Sequence, residues 1–326
     1  MKTKENRFFV IMLAAVITAI LLLSLARFLN GSGQKRYTVS VVVENSSDNR
    51  WTAFRMGVQQ AARDENISLS VVSTDKIASI QQEGKLISQE ISNGADGIIT
   101  ELRSSGGTAD VLAELSRSVP VILLNTQAET SGSVDGSIAY AGLDNTAVGQ
   151  TLAEEILSTA EVSERALQIG IVAGNQQQFA LQERLKAAED RLSEENVSIV
   201  WTVSGDTQET EIRQQNAGRP ADVILALDDS SLLDAVHYMQ NTGRKYLRLY
   251  GVGCSEELVY DLDAGLIQSM LMPEEFNLGY QAVLSLSDRL NHREGQLREQ
   301  LVGFHVVNRE NMYDEENQRL LFPAVE

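Results

Sequence analysis

The sequence predicts an α/β protein of two doubly wound parallel-sheet lobes preceded by an N-terminal transmembrane helix. Three observations carry that expectation. From Tyr37 onward, strand-like and helix-like segments alternate in two successive runs of similar plan. The strand segments are continuously apolar, which is how strands buried on both faces read. Ahead of them, Phe8 to Ala26 form 19 residues without one charged side chain.

The N-terminal run, FFVIMLAAVITAILLLSLA, follows the polar and basic MKTKENR. As a helix it spans roughly 28 Å at about 1.5 Å per residue, close to the hydrocarbon core of a bilayer. A buried soluble helix would need some polar face, and this run has none. Two fates fit it. Ser24-Leu25-Ala26 could serve as a weak signal-peptide cleavage site, but the run exceeds the roughly 7–15 residues of a signal core, so a retained anchor is the expectation. Lys2, Lys4 and Arg7 on one side balance Arg27, Lys35 and Arg36 on the other. Placement of the bulk of the chain outside the cytoplasm therefore rests on the signal-like layout rather than on charge bias. No cysteine stands near residue 30, so a lipid anchor is not expected.

The first run opens with the β-branched YTVSVVV, a strand. Residues 50–66 place Phe54, Val58, Ala61 and Ala62 at helical spacing. ISLSVVS is the next strand. A helix over 77–93 carries Ile80, Leu86, Ile87 and Ile91 and closes at Gly94. DGIIT, a helix over 108–117 and VPVILLN complete the run. SIAYAG and a helix entered through Asp144-Asn145 lead into the second. There LQIGIVAG, a helix over 178–195, VSIVWTV, a short helix near 208–217, DVILALDD, a helix over 231–242 and LRLYGVG follow in turn. After a short helix come LIQSMLM, a helix over 275–292 and a final strand LVGFHVV. Sites in open α/β sheets lie beyond the C-terminal strand ends. That directs attention to loops 44–51, 100–107, 124–130, 173–180, 204–208, 227–231, 252–256 and 271–275.

Charge and motifs exclude several functions. Residues 1–36 hold six of the 27 basic residues and one of the 45 acidic ones, leaving 21 against 44, a net −23, on the remainder. A surface this acidic repels phosphate backbones, so nucleic acid is not an expected partner. The single Cys254 excludes an internal disulfide framework and a cysteine zinc site. His237, His292 and His305 form no ligand-spaced motif, and no metal or cofactor is expected. AGNQQQF and NGSGQ lack the lysine of a phosphate loop. Asp228-Asp229 without further loop oxygens is a poor calcium site. GVGCSEE places Cys254 after a strand with no nearby histidine, so an enzyme is not expected.

Six segments in order resemble the type I periplasmic binding proteins of the ribose- and galactose-binding kind, whose fold the ligand domain of the lactose-repressor family shares. They are RWTAFRMGVQQAA, SVPVILLNT, AGLDNTAVGQTLAEEI, ADVILALDDSSLLDAV, GRKYLRLYGVGCSEE and GYQAV. The resemblance covers about residues 37–310. It implies two lobes joined by a three-crossing hinge near Gly142–Asp144, Met272–Glu274 and Val302–Phe304. The first lobe would be 37–142 plus 274–302 and the second 143–272 plus 304–326, after a 1–36 segment of tail, anchor and linker. A repressor would carry a basic helix-turn-helix before residue 37, where the apolar run stands instead.

The function implied is an extracytoplasmic receptor that closes on a small sugar-like polyol and presents it to the permease of an ABC importer. The alternative is a membrane-anchored sensor that hands its closed state to a histidine kinase or another membrane partner. Trp51 stands where sugar-binding members place an aromatic platform, and the other possibility at that position is a hydrophobic staple for its own helix. The remaining carry-over is uneven. Asn125 and Thr126 replace Asp and Arg, Gln182 takes the place of a ligand Arg near Arg184, and Asp228 takes that of a ligand Asn. Cys254 follows a glycine that replaces a ligand Asp, and Pro273-Glu274 lies where Gln is expected. Asp48, Arg50 and Asp206 complete the candidate ligand set.

Overall fold

The computed structural model describes residues 16–18, 20, 22, 36–159, 166–205, 208–243, 247–292 and 296–321. The expected anchor Phe8–Ala26 falls mostly outside these, and Asp206 falls outside them as well. Among the described residues no helix is long and apolar enough to cross a membrane. Tyr37–Glu326 forms a compact unit separate from Met1–Arg36 and holds both sheets.

The first run gives β1 (Thr38–Val42), a 3-10 turn (Asn49–Trp51), α1 (Thr52–Asp64), β2 (Ser68–Val71), α2 (Ile80–Ser92), β3 (Gly97–Thr100), α3 (Ala109–Ser116), β4 (Val121–Leu124) and β5 (Ile138–Gly142). The second gives α4 (Asn145–Thr159), β6 (Leu167–Val172), α5 (Phe179–Leu192), β7 (Val197–Val203), α6 (Glu209–Gly218), β8 (Val223–Ala226), α7 (Asp229–Thr242), β9 (Arg248–Val252), α8 (Glu256–Asp263) and β10 (Ser269–Pro273). The chain then returns through α9 (Glu275–Asn291), β11 (Gln300–Leu301), β12 (Phe304–Val307) and α10 (Glu315–Leu321).

Two six-stranded sheets result, ordered β11-β5-β4-β3-β1-β2 and β12-β10-β9-β8-β6-β7. The first is parallel throughout. The second is parallel except at its edge, where β12 runs antiparallel to β10. Successive residues of one strand feed opposite cores. Ile99 and Ile122 pack on one face of the first sheet, while Ile98 and Val121 pack on the other. Ile224 and Leu225 divide in the same way in the second sheet. Burial on both faces is why these strands carry no polar alternation.

Two expectations change. LVGFHVV is not one strand, because β11 pairs with β5 in the first sheet and β12 with β10 in the second. The break falls where Val302 N–H donates to Gly142 O at 2.9 Å and Glu274 N–H donates to Gly303 O at 3.0 Å. Three passages between the sheets meet there side by side. Helix α10 was not anticipated, since its sequence is charged and short.

The first-lobe helices α1 and α9 approach backbone to backbone. A Cβ on Gly57 would stand 2.0 Å from Phe276 O, and one on Gly279 would stand 2.4 Å from Phe54 O. Neither contact involves a side chain that could swing away. Gly57→Ala should therefore force the helices apart and lower stability by about 1–3 kcal/mol, read as a drop in urea midpoint of the full chain.

Candidate functional site

A cavity of about 660 Å³ lies between the C-terminal strand ends of the two sheets. Most of its lining comes from the loops singled out by the strand-end rule: the 44–51 loop except Ser46, Glu101 and Arg103, Asn125, three residues of the 173–180 loop (Asn175, Gln178 and Ala180), Gly205, Asp228 to Ser230, and Val252 to Ser255.

The first-lobe wall is a chain of polar contacts. Asp48 caps the 3-10 turn, its Oδ1 accepting from Arg50 N–H at 2.9 Å. That turn sends Trp51 inward and Arg50 into the cleft. The Arg50 guanidinium lies 3.9 Å from the Trp51 ring centroid, and its Nη2 donates to Glu101 Oε2 at 2.6 Å. Glu101 Oε1 accepts from Asn125 Nδ2 at 2.9 Å. Asn125 sits in the left-handed region with φ 57°, a conformation Asn tolerates better than most residues. Burial pulls the Arg50 pKa down, but Glu101 outweighs it, so the group is held above its ordinary value. Arg103 Nη1 pairs with Glu44 Oε2 at 3.3 Å beside this chain.

The second-lobe wall is built from helix starts. Asp228 caps α7, its Oδ1 accepting from Ser231 N–H at 2.7 Å. Asp229 Oδ1 accepts from the amides of Cys254 and Ser255 at 2.7 and 2.9 Å and ties the β9 loop to α7. Arg184 is buried, with Nε on Asn145 Oδ1 and Nη1 on Leu227 O, both at 2.8 Å. Burial lowers its pKa. Between the walls, at the crossing that leads from β10 into α9, Glu275 is 8% exposed, and its Oε2 is sealed from solvent without a partner. Burial raises its pKa to about 7.

The two walls touch. Phe179 N–H donates to Ser105 Oγ at 2.8 Å and Ala180 N–H to Thr126 Oγ1 at 3.3 Å. Gln178, the N-cap of α5, makes no cap bond of its own. First-lobe hydroxyls thus cap a second-lobe helix. Ser105 N–H to Gln177 O at 2.9 Å, Asn175 Nδ2 to Arg103 O at 2.8 Å and Gln178 Nε2 to Leu102 O at 2.9 Å reinforce the seam. Across the cleft, Cys254 Sγ lies 3.5 Å from Arg50 O. Burial raises the thiol pKa well above its ordinary value, the opposite of an activated nucleophile.

Of the candidates, Asp48, Arg50, Trp51, Asn125, Asp228 and Cys254 border the cavity. Thr126 does not, because its hydroxyl is buried in the seam. Gln182 is exposed and bonds Gln176 O at 2.8 Å. Arg184, two residues and about 200° further round α5, takes the cleft side instead. Glu274 turns into the hinge, with Oε1 3.1 Å from His305 Nε2 and Oε2 accepting from Asn277 at 3.0 Å, while its neighbour Glu275 faces the cavity. The candidate set lacks Glu101, Arg184, Asp229 and Glu275, although the sequence sets Arg184 near Gln182 and Asp229 beside Asp228. Glu101 had a signal, as the polar residue directly after β3.

The platform expectation for Trp51 is corrected. The ring is 1% exposed, stands edge-on to Phe54 at 5.4 Å and donates Nε1–H to Glu44 O at 3.2 Å, and Arg50 covers a face. Trp51 is core and backing for Arg50.

A family model described as a periplasmic binding protein domain matches residues 39–294. No curated protein sequence matches the chain. Among solved structures, a carbohydrate transporter solute-binding protein from Agrobacterium radiobacter in complex with D-arabinose is similar. It has TM-score 0.77 at 14% identity over 89% of this chain and 100% of that one. A Caulobacter myo-inositol binding protein bound to myo-inositol gives 0.75 at 17% identity over 88% and 98%. A XylFII-LytSN complex gives 0.72 at 18% identity over 85% and 99%.

Because Trp51 is core, Trp51→Ala should destabilise the ligand-free full chain by about 3–5 kcal/mol, measured by chemical denaturation. An unchanged midpoint would return the residue to the role of an exposed platform.

Proposed function

The chain belongs to the periplasmic binding protein family, and on that premise we propose that it is an extracytoplasmic receptor closing on a small sugar-like polyol for delivery to an ABC permease. The observation that carries the reading is the cavity between the two sheets, where Arg50, Asn125, Arg184, Asp228 and Glu275 converge from both walls. Paired donors and acceptors of this kind match the alternating hydroxyls of a polyol. The similar solute-binding proteins, one in complex with D-arabinose and one bound to myo-inositol, support the same class. The family implies an extracytoplasmic setting, and a retained Phe8–Ala26 helix would tether the receptor to the membrane. The two lobes would be 37–142 plus 274–302 and 143–272 plus 304–326.

Sensing is the second reading. It is favoured by the similarity to the XylFII-LytSN complex together with the uncharged N-terminal run. Here the closed lobes would be read by a membrane partner such as a histidine kinase rather than by a permease.

The direct test is a thermal-shift screen of the full chain against pentoses, hexoses and inositols, since a ligand bound only by the folded state raises the melting temperature. A screen with no shift overturns the receptor reading. Closure gives a further expectation. Ser105→Ala combined with Thr126→Val removes the cross-lobe cap and makes the closed state harder to reach. Each lost bond is worth about 0.5–1.5 kcal/mol, so affinity for a sugar found in the screen should fall by about five- to a hundredfold, measured calorimetrically, while the denaturation midpoint without ligand moves little.

A further inference from the structure

The cavity holds more negative charge than its own cations answer. Among the described residues seven carboxylates and four cationic side chains line it. Two of the cations are committed, Arg50 to Glu101 and Arg103 to Glu44. Arg184 gives Nε and Nη1 to neutral oxygens. Asp229 is met by two backbone amides and Asp228 by one. Glu275 differs from all of these. It is more than nine-tenths buried, it lines the cavity, no described donor reaches its carboxylate, and its Oε2 is sealed without a partner. A buried carboxylate with no donor is costly, so a group arriving in the cavity with N–H or O–H donors and positive charge gains most there.

The cavity also lacks the usual reason to prefer a neutral ring. Trp51 is the one aromatic among its described lining residues, and Arg50 covers a face of it. Stacking on an apolar sugar face is therefore not offered, and polar contacts set the selection.

We propose that the preferred ligand is an amine-bearing sugar or amino polyol whose ammonium is held by Glu275. This rests on the receptor reading and narrows its ligand class. The ammonium brings up to three donors and one charge to a carboxylate that no described donor reaches, which a hydroxyl matches only in part. The remaining hydroxyls fall to Arg184, Asn125 and Asp228.

The charged groups around Glu275 are Arg50 beside the start of α1, Glu101 after β3, Arg184 on α5 and Asp229 on α7. Two cations and two anions oppose each other, and burial leaves the Glu275 carboxyl with a pKa near 7. Ammonium binding requires the ionised carboxylate. Affinity for an amino sugar should therefore rise with pH through about 7, until the ammonium itself loses its proton.

The experiment is titration calorimetry of the full chain with matched pairs: glucosamine with glucose, galactosamine with galactose, and each amine with its N-acetyl form. The expected result is that the free amine of at least one pair binds about tenfold or more tighter than both its parent sugar and its N-acetyl form. Glu275→Gln should abolish that preference, lowering affinity for the free amine about tenfold or more beyond whatever it does to the parent sugar. Should Glu275→Gln fail to fold, the wild-type comparison and its pH dependence decide the matter alone. If parent sugars bind as tightly as their amines in every pair that binds, the ammonium assignment is overturned and the sugar-receptor reading stands. If no member of any pair binds and the wider sugar screen also gives no shift, both fall together. If neutral sugars of that screen shift the melting temperature while no amine binds, only the ammonium assignment falls.

Discussion

The arrangement of the two lobes depends on a helix that cannot finish its own beginning. The first turn of any α-helix leaves amide hydrogens without partners inside the helix. In α5 the N-cap residue Gln178 supplies no side-chain acceptor. Ser105 and Thr126, from the loops after β3 and β4, supply it from the facing lobe. The same two hydroxyls are 2.9 Å apart and bond to one another, so the cap is a small rigid unit presented to α5 as a whole. Closing the cleft thereby completes a piece of secondary structure, and opening it returns those amides to water.

The cleft below this seam is organised by charge in the same cooperative manner. Arg50, Glu101 and Asn125 come from the ends of β1, β3 and β4 and hold one another in place. Asp229 does the equivalent work opposite, fastening the β9 loop to α7 through two amides. Both walls are therefore preorganised by contacts within their own lobe. What they leave unanswered is Glu275, which enters from the second crossing between the lobes and belongs to neither wall's network.

How much of this could be read from the sequence follows from what each signal measures. The strands were legible because burial on both faces leaves an uninterrupted apolar run, and the strand-end rule then located nearly every loop that lines the cavity. Side-chain direction was not legible at the same resolution. On a helix, an error of two residues moved a ligand candidate from Arg184 to exposed Gln182. At the start of α9, an error of one residue separated Glu275 from Glu274. Trp51 looked like a platform because an aromatic beside a cleft loop is ambiguous until the Asp48 cap fixes the turn that buries it. LVGFHVV is apolar throughout, so no hydropathy pattern could reveal that its two halves pair with different sheets. Charged α10 carries too little apolar pattern to be seen at all. The uncharged N-terminal run, the clearest segment of the sequence, lies mostly beyond the described residues.

The late return of the chain has a consequence for biosynthesis. Helix α9 and strand β11 belong to the first sheet's lobe but are encoded after the whole of the second. Until residues 275–301 emerge, Phe54, Val58 and Ala61 of α1 lack the face made by Leu278, Ala282 and Leu286, with which they share one core. The edge of β5 lacks its neighbour for equally long. A nascent chain thus carries an open apolar surface from the completion of α1 at Asp64 until α9 begins at Glu275, about two thirds of the 326 residues, a state in which aggregation competes with folding. The first lobe therefore cannot complete its core until most of the chain has been made.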